Sequence, residues 1–148
     1  MIIRRFNSQD AAPTSDLIRT TMRISNAHDY PLERLQPLID YFSPEKVLQL
    51  STERICLVAE DDQQIVGTAA LEGNELSTFF VHPDYQGRGI GTQLLHALET
   101  HARDVGFPRL LVDASLTGVP FYERHGYIRT GRIHPGTAGP QIGMIKDL

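Results

Sequence analysis

The run Glu75-Leu76-Ser77-Thr78-Phe79-Phe80-Val81 reads as a strand, and it gives way to His82-Pro83-Asp84-Tyr85 and then Gln86-Gly87-Arg88-Gly89-Ile90-Gly91-Thr92. Beyond it the pattern turns helical. No other segment restricts the fold as tightly. A strand, a glycine-rich turn and a helix start leave several backbone N–H groups unpaired and pointing one way, with the positive end of the helix dipole behind them. Glycines at 87, 89 and 91 remove the Cβ atoms that would hold an anion away. Arg88 adds a cationic side chain. The segment therefore reads as an anion site, best suited to a diphosphate.

Two common phosphate loops do not fit. The dinucleotide pattern G-x-G-x-x-G needs glycine at 92, which is Thr92, or at 94, which is Leu94. The triphosphate loop G-x-x-x-x-G-K-[ST] needs a lysine that this segment lacks. The preceding strand also belongs to a meander: residues 55–59, 65–71 and 75–81 are three apolar strands joined by the short polar turns 61–64 and 72–74.

Around this centre the periodicity predicts a short first strand at residues 2–6 and a helix over 10–28, with Asp10 and Ser15 as candidate caps. A second helix starts near Leu32. Ser43-Pro44-Glu45 opens a third, with Ser43 as N-cap and Pro44 in the first turn. In the long helix over 89–105, Ile90, Leu94, Leu95, Leu98, Ala102 and Val105 share one stripe, and Gly106 suits the left-handed position after it. Residues 109–113 form a strand and 119–125 a short helix. Two last strands, 127–133 and 142–146, flank a Gly/Pro-rich loop over 134–140.

The pattern Gln86-x-x-Gly89-x-Gly91 after a Val81-His82-Pro83 strand end resembles the acyl-CoA loop of the GNAT superfamily of N-acetyltransferases. Phe121-Tyr122-Glu123-Arg124-His125-Gly126-Tyr127 is similar to that superfamily's second signature. The resemblance runs the length of the chain in the order of elements. It implies a single α/β (α+β) domain over residues 1–148, with a mixed, mostly antiparallel sheet splayed between its fourth and fifth strands and helices on both faces. It further implies an enzyme that moves an acetyl group from acetyl-CoA to a primary amine. Backbone groups of Phe79, Phe80 and Val81 would bond the pantetheine arm. Gln86 and the amides of Gly87, Arg88, Gly89, Ile90, Gly91 and Thr92 would hold the pyrophosphate. Tyr122 would assist the leaving thiolate, as a phenol that stays protonated at neutral pH.

Two positions depart from the family pattern. Ser115 stands where many relatives carry a cofactor-contacting asparagine, and Leu110 stands where some carry a glutamate base. The proton acceptor for the amine is thus open among Glu72, Glu75, Asp113, His28 and water. Met22, Tyr30, Tyr41 and Phe42 are candidates for the acceptor wall. The acceptor itself, a small-molecule amine or an amine of a protein or peptide, is not written in the sequence. A homodimer through the last strands is a family-based expectation. A sensor that binds acyl-CoA without catalysis is the alternative, and a nucleotide enzyme using the same loop is a third reading.

Composition bounds these readings. The chain has 148 residues, 41% hydrophobic and 22% charged, with net charge −4. A domain of that size buries roughly 70% of the surface its extended chain exposes, so neither metal nor disulfide is needed to hold it. The acidic balance argues against nucleic acid as partner. The histidines lack metal-ligand spacing, so no metal is expected. The one cysteine, Cys56, cannot form an intramolecular disulfide and lies in an apolar run as a buried thiol. No apolar stretch reaches the roughly 18 residues of a membrane span, so neither membrane insertion nor a signal sequence is expected, and the default compartment is the cytoplasm.

Overall fold

Residues 1–148 are described by a computed structural model. β1 (Ile2–Arg5), β2 (Ile55–Asp61), β3 (Gln64–Glu72), β4 (Glu75–Val81), β5 (Arg109–Ser115), β6 (Ile128–Pro135) and β7 (Pro140–Asp147) form one sheet. The strand order is β1-β2-β3-β4-β5-β7-β6. Every neighbouring pair is antiparallel except β4 and β5, which run parallel.

Five helices cover the two faces: α1 (Ala11–Ile24), α2 (Leu32–Tyr41), α3 (Pro44–Ser51), α4 (Ile90–Asp104) and α5 (Val119–Arg124). The apolar stripe of α4, with Leu94, Leu95, Leu98 and Ala102 fully buried, packs on one face together with Val119 and Tyr122 of α5. On the other face Ile18, Met22, Leu35, Ile39, Phe42, Val47 and Leu50 gather α1, α2 and α3 into a second core. Ser43 caps α3 by accepting the Lys46 N–H at 3.2 Å, with Pro44 in the first turn as the sequence predicts.

Two boundaries differ from the expectation for a local reason, and Asp10 and Ser15 take roles other than capping. α1 starts directly after Asp10, but the Asp10 side chain does not cap it. The Asp10 carboxylate turns back instead to accept from the Asn7 N–H and from both Arg4 guanidinium nitrogens at 2.8–2.9 Å. Ser15 lies inside α1 and donates to the Phe42 carbonyl, tying α1 to the end of α2. At the other end α1 stops at Ile24, and Asn26–His28 form a separate 3₁₀ turn. The expected 134–140 loop shrinks to residues 136–139, since pairing continues out to Pro135 and Pro140.

One irregularity opens the sheet. Between Thr68–Phe80 and Ala70–Ser77 the register gains one residue on β4. Thr78 in that bulge has φ +48°, a conformation costing a non-glycine residue about 1–2 kcal/mol. Arg54 Nη1 donates to Thr78 Oγ1 at 2.8 Å and holds the bulge. β4 and β5 then share only the pairs Glu75–Leu111 and Leu76–Val112 before parting. β5 meanwhile stays paired with β7 along its whole length. The result is a fork, with the β5-facing edge of β4 beyond Leu76 left without a strand partner.

Candidate active site

A cleft of about 590 Å³ runs through the fork and is lined from both faces of the sheet. The glycine turn forms part of its wall. His82 Nδ1 accepts the Asp84 N–H at 3.1 Å and starts the short 3₁₀ turn Pro83–Tyr85. Gln86 then pins the loop, donating to the Val81 carbonyl at 2.9 Å and to Ser25 Oγ at 3.1 Å. Gly89, at φ +82°, turns the chain into α4 where an L side chain would be strained. The first backbone bond of α4 runs from Gln93 N–H to the Gly89 carbonyl, so residues 87–92 keep amides with no backbone acceptor. With the helix dipole behind them, they form an anion-binding nest. Gly91 is tight for a different reason: a Cβ there would meet the Phe121 ring at 3.0 Å.

α5 closes the nest from the side. His125 Nδ1 lies 2.8 Å from the Phe121 carbonyl, which only accepts, so that nitrogen carries the proton. The other ring nitrogen of a neutral imidazole then accepts from Thr92 Oγ1 at 2.9 Å. Arg124 also lines the cleft. Neither residue was singled out as a site residue in the sequence, although both occupy the variable positions inside the Phe-Tyr-Glu-x-x-Gly signature.

Tyr122 lines the cleft from α5. Its ring packs edge-on against Phe79, Phe121 and Tyr127, with centroids 5.3–5.9 Å apart. Burial pushes the phenol well above its ordinary pKa, which keeps it protonated. Tyr127, by contrast, is buried in structural work: its hydroxyl donates to Glu99 at 3.0 Å, and Lys146 meets the same carboxylate at 2.8 Å.

Phe79, Phe80, Val81, Gln86, Gly87, Gly89, Ile90, Gly91, Thr92, Ser115 and Tyr122 all line this one cleft. Phe79 packs toward α4 and Phe80 toward α1, so the backbone between them faces the fork. Arg88 is the exception, because its guanidinium lies over the Tyr85 ring at 4.9 Å instead of lining the cleft. Ser115 Oγ accepts the Gly118 N–H at 3.1 Å, holding the turn that starts α5.

The open question of the base narrows. Glu72 pairs with Arg54 at 3.4 Å, Glu75 is exposed at the start of β4, and His28 is exposed; none lines the cleft. Asp113 does. Of the expected acceptor wall, Met22, Tyr30 and Phe42 line the cleft, whereas Tyr41 is 45% exposed and lies under Lys46. The β6–β7 turn, residues 136–139, also lines it. Tyr30 holds that turn in place: its hydroxyl donates to the Pro140 carbonyl at 2.6 Å and accepts the Leu116 N–H at 2.9 Å.

An acetyltransferase (GNAT) domain model matches residues 26–146, most of the chain and both walls of the fork. The chain belongs to the GNAT acetyltransferase family. It is therefore an acyltransferase, built on a fold whose parallel β4–β5 pair is the one place where the sheet opens. Among its GNAT relatives, the peptidyl-lysine N-acetyltransferase YjaB of Salmonella typhimurium is 30% identical over 123 residues, covering 83% of this chain and 77% of the relative. The S-(2-succino)cysteine N-acetyltransferase of Bacillus subtilis is 35% identical over 118 residues, covering 69% and 72%. A GCN5-related N-acetyltransferase from Rhodopseudomonas palustris superposes with a TM-score of 0.92 at 28% identity, over 99% of this chain and 95% of that one. The PaiA N-acetyltransferase of Thermoplasma acidophilum, solved with coenzyme A, shares the fold at 20% identity and a TM-score of 0.82, over 99% and 98%. No helix of this GNAT chain is long and apolar enough to cross a membrane.

Proposed function

We propose that residues 1–148 act as one catalytic domain that transfers an acetyl group from acetyl-CoA to a primary amine, both bound in the β4–β5 fork. One observation carries the reading. A strand edge without a partner, a nest of unpaired amides and a buried phenol line a single cleft, the three features that a thioester on a diphosphate-bearing arm would use.

Acetyl-CoA supplies the activated acyl group. The amides of residues 87–92 hold its diphosphate, with Arg124 beside them. Phe79 and Val81 offer their backbone N–H and C=O groups to the pantetheine arm as an added strand would. The Val81 end of β4 directs an amide at the carbonyl oxygen that becomes negative during attack. Tyr122 donates a hydrogen bond to the charge growing on the departing sulfur. The amine enters from the α1–α2 side, so attack and departure occur on opposite sides of the sheet. Holding both reactants in one fork supplies the proximity term of the rate.

The experiment is release of thiol from acetyl-CoA, followed over a panel of primary amines: an alkylamine, an amino acid, an aminoglycoside and a lysine peptide. Amine-dependent release is expected from the wild-type chain. Tyr122→Phe is expected to lower kcat by about a hundredfold, the usual scale for loss of a positioned proton donor, while coenzyme A affinity stays put. An unchanged kcat would remove Tyr122 from the mechanism. Release that is independent of every amine would remove the transfer reaction itself.

A further inference from the structure

We propose that Asp113 and Ser77 form the acceptor subsite, where Asp113 binds the substrate ammonium and takes its proton, and that the acceptor is a primary amine on an apolar stem with no carboxylate beside the nitrogen. The proposal rests on the acetyl-transfer reading above and deepens it.

Placement comes first. Leu110, Val112 and Ala114 of β5 and Leu76 of β4 all point into the core under α4. Strand alternation therefore turns Asp113 and Ser77 to the opposite face, toward α1 and α2. Leu76 and Val112 are the last pair of the parallel ladder. Ser77 and Asp113 are the next residue on each strand, so they stand across from each other where the fork begins to open. Both line the cleft.

Both also have capacity to spare. The Ser77 hydroxyl is buried and has no hydrogen-bond partner, a state that costs about 1–3 kcal/mol unless a ligand relieves it. The Asp113 carboxylate takes part in none of the ion pairs of the chain. It is the only carboxylate lining the cleft. An alkylammonium offers three donors, which a carboxylate and a hydroxyl accept together.

The walls decide what the ammonium is attached to. On the α1–α2 side Met22, Leu35, Leu38, Phe42 and Phe80 form an apolar stretch, bordered by the neutral polar groups of Thr21, Ser25, Asn26 and Tyr30, with no lysine, arginine or histidine among the residues lining that side. The one lysine or arginine lining the cleft, Arg124, belongs to α5 on the opposite face. An acceptor with a carboxylate next to its amine would bring that charge against Asp113 with no cation to answer it.

The proton ledger closes. Asp113 removes one proton from R–NH₃⁺ and becomes neutral. The nitrogen lone pair forms the C–N bond at the thioester carbonyl and the C–S bond breaks. The second amine proton passes to the thiolate sulfur with Tyr122 as the donor beside it, leaving the amide and free coenzyme A. Asp113 then returns its proton to solvent.

The test compares pentylamine with norleucine, which differ only by the carboxylate, as acceptors from acetyl-CoA. The wild-type chain is expected to show a kcat/KM for pentylamine at least about tenfold that for norleucine. Asp113→Asn, which keeps the size of the side chain, is expected to lower the pentylamine rate by about a hundredfold with coenzyme A affinity unchanged. Ser77→Ala is expected to raise KM more than it lowers kcat. Glu75→Gln, outside the cleft, serves as the control with unchanged kinetics. Preference for norleucine, an undiminished rate in Asp113→Asn, or no turnover of pentylamine by a chain that binds coenzyme A would each overturn the proposal. Failure of the wild-type chain to bind coenzyme A would instead overturn the acetyl-transfer reading beneath it.

Discussion

Asp10 shows how a single side chain can be misread from sequence and still be decisive. As a residue before a helical run it looks like a cap, yet its carboxylate serves Arg4 and the Asn7 N–H and joins the first strand to the turn before α1. The hydrogen bond from Arg4 is the main reason its pKa is held below the ordinary carboxylate value, against the opposing effect of burial. A pKa lower in the folded than in the unfolded state stabilises the fold above the unfolded value, about 4, and that contribution fades as pH falls through the folded value. Asp10→Asn is therefore expected to cost about 1–3 kcal/mol at pH 7 in denaturant unfolding, with the gap from wild type closing below about pH 4. A gap independent of pH would mean that the ion pair contributes nothing and that the loss is one of packing. Arg88 teaches the same lesson in reverse. Its position in the glycine turn suggested a phosphate ligand, but side-chain direction depends on a neighbour, Tyr85, that sequence spacing does not orient.

At the scale of elements, the glycine turn and α4 were legible because their signals are local: a left-handed turn, a dipole and a 3.6-residue stripe. The turn is also where a backbone substitution acts most directly on function. A Cβ at Gly89 would meet no atom within 4 Å, so the space in front of it is open cleft, while φ +82° makes any L side chain costly. Gly89→Val is expected to cost about 1–2 kcal/mol of stability and to weaken coenzyme A binding at least tenfold by calorimetry, its methyls standing before the amides. Unchanged affinity would place the diphosphate somewhere other than the turn. The features that sequence did not reveal are those made by distant strands meeting. Tyr30 bonds to Leu116 and Pro140, 86 and 110 residues away, and so brings the β6–β7 turn into the wall of the cleft. Ser77 and Asp113 stand open to the cleft because the β4–β5 ladder ends one step before them, next to the bulge at Thr78. Neither arrangement has a period or a spacing in the sequence.

For the whole molecule, the organising fact is a sheet with helices on both faces and one deliberate fault in its middle. The order of elements was readable along the chain, and so was the splay between fourth and fifth strands, through the family resemblance. The fault creates a passage between two cores, with the amide nest and Tyr122 on the α4–α5 side and the Met22, Leu35 and Phe42 wall on the α1–α2 side. The central claim is that this passage is a coenzyme A site and not a general nucleotide site. A thermal-shift titration with acetyl-CoA, coenzyme A, ATP and NAD in parallel tests it most directly. A ligand that binds only the folded chain adds about 2.7 kcal/mol at 100 times its dissociation constant, which for a domain of this size is a rise of roughly 5–10 °C in Tm. The account predicts that rise with the two coenzyme A compounds and none with ATP or NAD; stabilisation by ATP or NAD alone, or by none of the four, would contradict it.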